Sequence, residues 1–416
     1  MLATLVILFA LFGAFAAGFV LAPRIERWRA RLHAAPTAPE LAAHAGTEAT
    51  AENATQEEPR SKLEALTTVV RFDAVVPRGT RSAILDEHTA EWRSAMSEIG
   101  DRLRRDGVVA VVFAHGSFVG TDPLSALGSV ERAHPRGRAL AKALRRRTRS
   151  YVDRMLGDLG NFGPSYVRLF EQAIGGTIPC TSFVWSSENH HLGRLEGALS
   201  LLRVLATHAE LGAPRGRILV LGHSHAGQVF ALLTQLLSRS LAAEAIVDVA
   251  RARELDVGAL DVDRDMLDRF ALDFVTFGAP ARYAWSDLPS VRSLHVVHGR
   301  GATEPLRQRI VGDDWVRRLG GTGSDFPALA TSDRRINASL DAALGPGFAP
   351  TELLRAMRAE STMPPHGELV LVDYRSEGLS SLFSSGLGHG VYTRLDAMLF
   401  HASLVASRLY PPRSSA

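Results

Sequence analysis

Several short runs of this chain are wholly or largely apolar, and they constrain its fold more than any other feature. Val108 to Phe113 is one such run. Thr181 to Trp185, Ile218 to Leu221, Leu272 to Phe277, Leu294 to Val297 and Leu369 to Val372 are others. A strand with one face in water alternates apolar and polar residues, whereas a strand covered on both faces reads as a continuous apolar run. Between these runs lie segments with apolar residues at helical spacing, among them Leu192 to His208 and Gln228 to Leu237. Strand and helix repeated in this way predict an α/β fold, a doubly wound and mostly parallel sheet. Such sheets bind ligands beyond the carboxyl ends of their strands, so the loops that follow the strands are where chemistry is to be sought.

The chain ahead of this body is of two other kinds. Leu2 to Ala22 is apolar and uncharged, close to the roughly 20 residues that a helix needs to cross the hydrocarbon core. Arg24, Arg27, Arg29 and Arg31 follow it. Residues 1–23 therefore read as a transmembrane anchor. The positive flank keeps the body on the cytoplasmic side, as in a single-pass protein of a bacterial inner membrane. The competing reading is a signal peptide cut after Ala16. Against it, no Lys or Arg precedes the run, and the run is longer than a usual signal-peptide core. Residues 24–62 read as a flexible linker, because Ala34 to Arg60 has almost no large apolar side chains with which to offset ordering entropy. Residues 63–410 form the body, with long insertions near 121–179 and 327–365.

Composition narrows the function classes. The 416 residues are 46% apolar, enough for a large core, and 47 Lys+Arg against 44 Asp+Glu leave a net charge of only +3. Lys62 and Lys142 are the only lysines, so the basic character is an arginine bias of the whole chain. The cluster Arg145-Arg146-Arg147-Thr148-Arg149 has no nucleic-acid reading motif around it, and no nucleic-acid partner is expected. Cys180 is the only cysteine, which excludes an intramolecular disulfide and the usual cysteine-based metal sites.

Four loops after strands carry the chemical signal. In Ile218 to Gly227 a strand runs into a turn with Ser224 at its tip and then into a helix. A serine on such a turn is strained and exposed at the sheet edge, and its neighbours at 222 and 226 must be small, as Gly222 and Ala226 are. The bland alternative is a serine that merely caps a helix. The loop Ala114-His115-Gly116-Ser117 follows the Val108 run, and its backbone can supply N–H groups to a developing oxyanion. Ser117 and His225 are the expected donors, with His115 a buttress of the loop. Gly312-Asp313-Asp314-Trp315 offers a carboxylate to orient a base; Asp314 is preferred and Asp313 held in reserve, against the alternative of an N-cap pair. Gly388-His389-Gly390 offers the base itself, whereas His401 falls on a helical face and His298 precedes the acid. The order Ser224, Asp314, His389 is the chain order of one known triad arrangement.

With these residues in place the body resembles an α/β-hydrolase, similar to lipases and esterases and nearest to the class 3 lipase-like branch. The resemblance rests on Gly222-His223-Ser224-His225-Ala226-Gly227, Thr276-Phe277-Gly278-Ala279-Pro280, Gly312-Asp313-Asp314-Trp315-Val316 and Gly388-His389-Gly390-Val391-Tyr392. Phe183-Val184-Trp185-Ser186 with Asn189 and Arg194 adds to it. Ala226 stands where the family commonly has glycine. The resemblance implies a serine hydrolase acting on an ester or lipid substrate without a metal or organic cofactor. A thioesterase or amidase with the same triad, and a catalytically silent membrane-tethered binding module, are the alternatives.

Overall fold

A computed structural model of the protein describes residues 67–71 and, in pieces, 89–412. Within the latter, residues 118–119, 123–142, 148, 151–153, 155–159, 212–214, 254, 300–312, 322, 329, 348, 350, 352–366 and 375–387 lie outside the description. The anchor (1–23) and linker (24–62) expected from the sequence also lie outside the described residues. Among the described residues no single helix is long and apolar enough to cross a membrane.

Among the described residues seven strands form one sheet: β1 Thr67–Arg71, β2 Val108–Ala114, β3 Cys180–Phe183, β4 Arg217–His223, β5 Ala271–Phe277, β6 Val291–His298 and β7 Glu368–Asp373. Their order is β1-β7-β6-β5-β4-β2-β3, and every pairing is parallel. The expected "mostly parallel" sheet is therefore wholly parallel across these strands. Strand β1 was not foreseen, because in Thr67-Thr68-Val69-Val70-Arg71 only two residues are apolar. Strand β3 ends two residues earlier than its apolar run. Trp185 has left the ladder, and its backbone N–H donates to His115 Nε2 (3.2 Å) while its indole N–H donates to the His115 carbonyl (2.8 Å).

The helices are α1 Ala90–Arg105, α2 Pro164–Ala173, α3 His191–Leu211, α4 Ala226–Ser238, α5 Leu241–Ala252, α6 Leu260–Leu267, α7 Trp315–Leu319, α8 Thr331–Leu344 and α9 Met398–Leu409. They cover both faces of the sheet. Val112, Val220 and Phe274 pack with Leu195, Val229, Phe230 and Ile246 of α3, α4 and α5. Their strand neighbours Val111, Leu219 and Val275 point the other way, onto Met96, Phe170 and Val405 of α1, α2 and α9. Successive strand residues thus enter two different cores, which is why the runs are apolar without alternation. Helix α2 lies in the first expected insertion and α8 in the second.

The strand order places the reactive loops. From β2 the chain moves outward to β3, crosses back over β2 to β4, and then proceeds the other way through β5, β6 and β7. The reversal opens a crevice between the carboxyl ends of β2 and β4, the place where a doubly wound sheet binds ligands. The Ser224 turn leaves β4 at that point, and the 115–117 loop leaves β2 beside it.

Candidate functional site

Ser224 has a left-handed backbone (φ 56°), one of four described non-glycine residues that do. An L-residue in that region costs on the order of 1–3 kcal/mol. The turn is held by the Ser224 N–H, which donates to the Phe277 carbonyl (2.8 Å), and by the Gly227 N–H, which donates to the Ser224 carbonyl (3.0 Å). The need for small neighbours is visible. A Cβ at Gly222 would meet the Phe230 ring at 2.4 Å and the Ala226 Cβ at 3.0 Å, and one at Gly227 would meet the Ala279 Cβ at 2.4 Å. Ala226 is completely buried, so the methyl group at this variant position is accommodated.

The 115–117 loop lies against this turn. A Cβ at Gly116 would fall 2.6 Å from the Ser224 Cβ, so glycine is what allows the close approach. His115 braces the loop as expected. Its Nδ1–H donates to the Gly116 carbonyl (2.9 Å), and its ring stacks on Trp185. Burial, reinforced by Arg149, drives His115 down to about 3, so it is neutral near pH 7. Among the described residues the backbone N–H groups of Ser117 and His225 have no hydrogen-bond acceptor, and the Ser117 hydroxyl is buried without a partner. Free donors on both sides of a strained serine are what an oxyanion needs.

Asp314 and His389 meet although 75 residues separate them. His389 Nδ1 lies 2.9 Å from each carboxylate oxygen of Asp314, which is completely buried. Asp314 also accepts from the Arg317 N–H (2.8 Å) and from the Tyr392 hydroxyl (2.8 Å). Burial works to raise its carboxyl, but His389 and these donors prevail and hold it below the ordinary carboxylate range. The reserve acid, Asp313, turns away into an ion pair with Arg318 (2.5 Å). Asp314 is at once the N-cap of α7 and the partner of His389, so the two readings of the sequence hold together.

His223 and His225 flank the serine in the chain, and His389 packs against His223. With Nδ1–H given to Asp314, His389 Nε2 carries a lone pair, and it is buried with no hydrogen-bond partner among the described residues. The direct Ser224–His389 hydrogen bond expected from the sequence is not formed. Ser224 Oγ instead lies 3.3 Å from His225 Nδ1, a long contact. The His223 ring lies tilted against that of His389, with centroids 4.5 Å apart, and its Nε2–H donates to the His389 carbonyl (3.0 Å). Burial drives His223 down to about 3 and, with Arg194, takes His225 well below its usual range, so both stay neutral. Among the described residues neither has a carboxylate hydrogen-bonded behind it, whereas His389 has Asp314. Catalytic contacts of this kind are commonly loose without substrate.

His298, the alternative base, stands elsewhere. Its Nδ1–H donates to the Gly388 carbonyl (3.1 Å), and its backbone N–H donates to the Tyr392 hydroxyl (2.7 Å). His401 is core, with Nε2 2.6 Å from the Tyr374 hydroxyl. Sequence reasoning did not single out Tyr392 as a site residue; its only signal was its place in the Gly388–Tyr392 motif. Among the described residues no group of three His, Cys, Asp or Glu side chains is arranged to hold a metal ion. No protein-family model matches the chain, and neither a curated protein nor a solved structure matches it.

Proposed function

We propose that the protein is a serine hydrolase of the α/β-hydrolase type that cleaves carboxylic esters, with a lipase- or esterase-like substrate. The observation that carries this reading is the left-handed Ser224 at the tip of the β4–α4 turn. The buried Asp314–His389 pair at the same sheet edge supports it. Ser224 Oγ attacks the ester carbonyl as His389 Nε2 takes its proton. Asp314 stays ionised, fixes the Nδ1–H tautomer and stabilises the imidazolium. The oxyanion is received by the N–H groups of His225 and Ser117. Collapse expels the alcohol, which takes the proton from His389, and a water molecule then releases the acid by the same route. To react, the serine hydroxyl turns from His225 toward His389.

A fluorophosphonate probe followed by peptide mapping tests the assignment. The label is expected on Ser224, and Ser224→Ala is expected to lower kcat by about three orders of magnitude or more with the fold intact. A label elsewhere, or a folded Ser224→Ala protein with normal esterase activity, overturns it. The proposal includes the Leu2–Ala22 run as a membrane anchor with the hydrolase on the cytoplasmic side, supported by the arginines at its carboxyl flank. Protease protection is expected to leave the body intact in sealed right-side-out vesicles. A soluble mature protein beginning near Ala17 sinks the anchor.

A further inference from the structure

We infer that Tyr392 is a positioning residue of this site, one that tunes how strongly Asp314 holds the charged form of His389. The inference rests on the triad proposed above. Tyr392 is completely buried. The backbone N–H of His298 can only donate, so the phenol oxygen accepts from it (2.7 Å) and directs its own hydrogen to Asp314 Oδ2 (2.8 Å). Burial, with the Asp314 charge nearby, pushes the phenol well above its ordinary range, so it keeps that hydrogen at any working pH.

His389 caps one short turn, the 3-10 segment Gly390–Thr393, Tyr392 lies within it, and both reach the same carboxylate. The end of β6 holds the turn at two points: His298 Nδ1–H on the Gly388 carbonyl and the His298 N–H on the phenol. Gly278 makes room for this grip. Its φ is 59°, and a Cβ there would fall 2.4 Å from Tyr392 Cε2 and 2.7 Å from Asp314 Oδ2. A donor on Oδ2 draws negative charge away from the imidazole and fixes the rotation of the carboxylate. It should therefore moderate the pull of Asp314 on a protonated His389.

The other titratable groups around the pair are His223 at the end of β4, His225 in the turn after it, His298 at the end of β6, Asp313 just before α7, Asp373 at the end of β7, and Tyr374 after it. Burial keeps His223, His225 and His298 below their usual range and Tyr374 well above its own, so these four stay neutral near pH 7. Asp313 is held by Arg318. A shift of the rate profile on changing Tyr392 therefore reports the Asp314–His389 pair.

The test uses the full chain as wild type, as Tyr392→Phe, and with 3-fluorotyrosine placed at 392, whose phenol is a stronger donor. Hydrolysis of a p-nitrophenyl ester is followed against pH, with thermal unfolding alongside. Tyr392→Phe is expected to lower kcat about tenfold, the scale of one hydrogen bond to a charged group, with KM nearly unchanged. It is also expected to move the acid limb of kcat/KM to higher pH, and fluorotyrosine to move it to lower pH. Activity that falls only in step with unfolding temperature, with the acid limb fixed in both variants, overturns the inference. If Tyr392→Phe does not fold, the fluorotyrosine limb decides alone. Wild type that hydrolyses the ester without labelling at Ser224 overturns the triad reading itself; a labelled wild type with fixed limbs overturns only the role of Tyr392.

Discussion

Asp314 serves two ends of the molecule with one carboxylate. Oδ1 caps α7 through the Arg317 N–H, and both oxygens face His389. Asp314→Asn separates the two roles. Asparagine still caps a helix, so stability should change by less than about 1 kcal/mol. Its amide N–H₂ group, turned toward His389, favours the tautomer with hydrogen on Nε2, which cannot take the serine proton. Turnover should fall by roughly 10³–10⁴. Asp313→Asn weakens the Arg318 pair, but its amide oxygen can still accept from the Asp314 N–H and it stands outside the relay, so turnover should stay within a few-fold of wild type. Kinetics on both variants check the choice, and loss of turnover in Asp313→Asn alone would reverse it. The sequence placed Ser224, Asp314 and His389 in three post-strand loops, which was enough to bring them to one edge. It preferred Asp314 with Asp313 in reserve but could not settle between them, since backbone direction at the start of α7 decides which side chain points inward. Nor could it foresee that Ser224 Oγ meets His225, because that contact follows from the left-handed turn.

Among the elements, β5 carries a carboxylate between Leu272 and Phe274, in register with Leu219 of β4 and Arg292 of β6. Asp273 is completely buried and receives paired hydrogen bonds from Arg217 of β4 (2.8 and 2.8 Å) and Arg292 of β6 (2.7 and 2.9 Å). The Tyr410 hydroxyl adds a fifth (2.8 Å), and Arg292 reaches the Leu409 carbonyl, so the end of α9 is pinned to three strands. Burial works to raise Asp273, but the two guanidiniums prevail and hold it below its ordinary range. Removing one partner of a buried ion cluster costs roughly 3–5 kcal/mol. Arg217 and Arg292 can partly reach water, so Asp273→Ala is expected near the lower end, about 3 kcal/mol by urea unfolding. A loss under about 1 kcal/mol would mean that the cluster contributes no more than surface pairs. Such an element is only half legible in sequence. The strand itself was readable from Leu272 to Phe277, because apolar residues surround Asp273 on both sides. Its partners Arg217 and Arg292 lie 56 and 19 residues away, and only the register of parallel strands brings them together. Strand β1 was missed for the related reason that an edge strand need not be apolar throughout. Helices α3 and α4 were readable to within a few residues, since their apolar spacing continues almost to their ends.

At the scale of the whole molecule, the fold buries an unusual number of imidazoles as neutral groups, and this sets how it should respond to acid. His115, His223 and His401 are each driven down to about 3, burial being the largest cause in all three. His298 and His225 are lowered as well, again chiefly by burial. In the unfolded chain these side chains titrate near 6.5. Above that pH both states are neutral and no stability is lost. Below it the unfolded chain binds protons that the folded one refuses, so stability falls as pH drops from about 6.5 toward 3. Each such group contributes a slope of about 1.4 kcal/mol per pH unit, and the three at about 3 together about 4 kcal/mol per unit. Asp273 and Asp314, held below the usual carboxylate range, add their losses only below about pH 4. Against a typical total of roughly 5–15 kcal/mol, the histidines alone should unfold the protein between about pH 5 and 3. The urea midpoint, followed by circular dichroism, is therefore expected to hold steady from pH 8 to 6.5 and then fall steeply. His401 offers an internal control remote from the serine. His401→Gln removes one of the three protons, so its urea midpoint should fall less steeply than that of wild type between pH 6 and 4. A midpoint that stays level down to pH 4.5 in the wild type would show that the buried imidazoles are not refusing protons, and with that the neutral state assigned to His115 and His223 around Ser224 would fall.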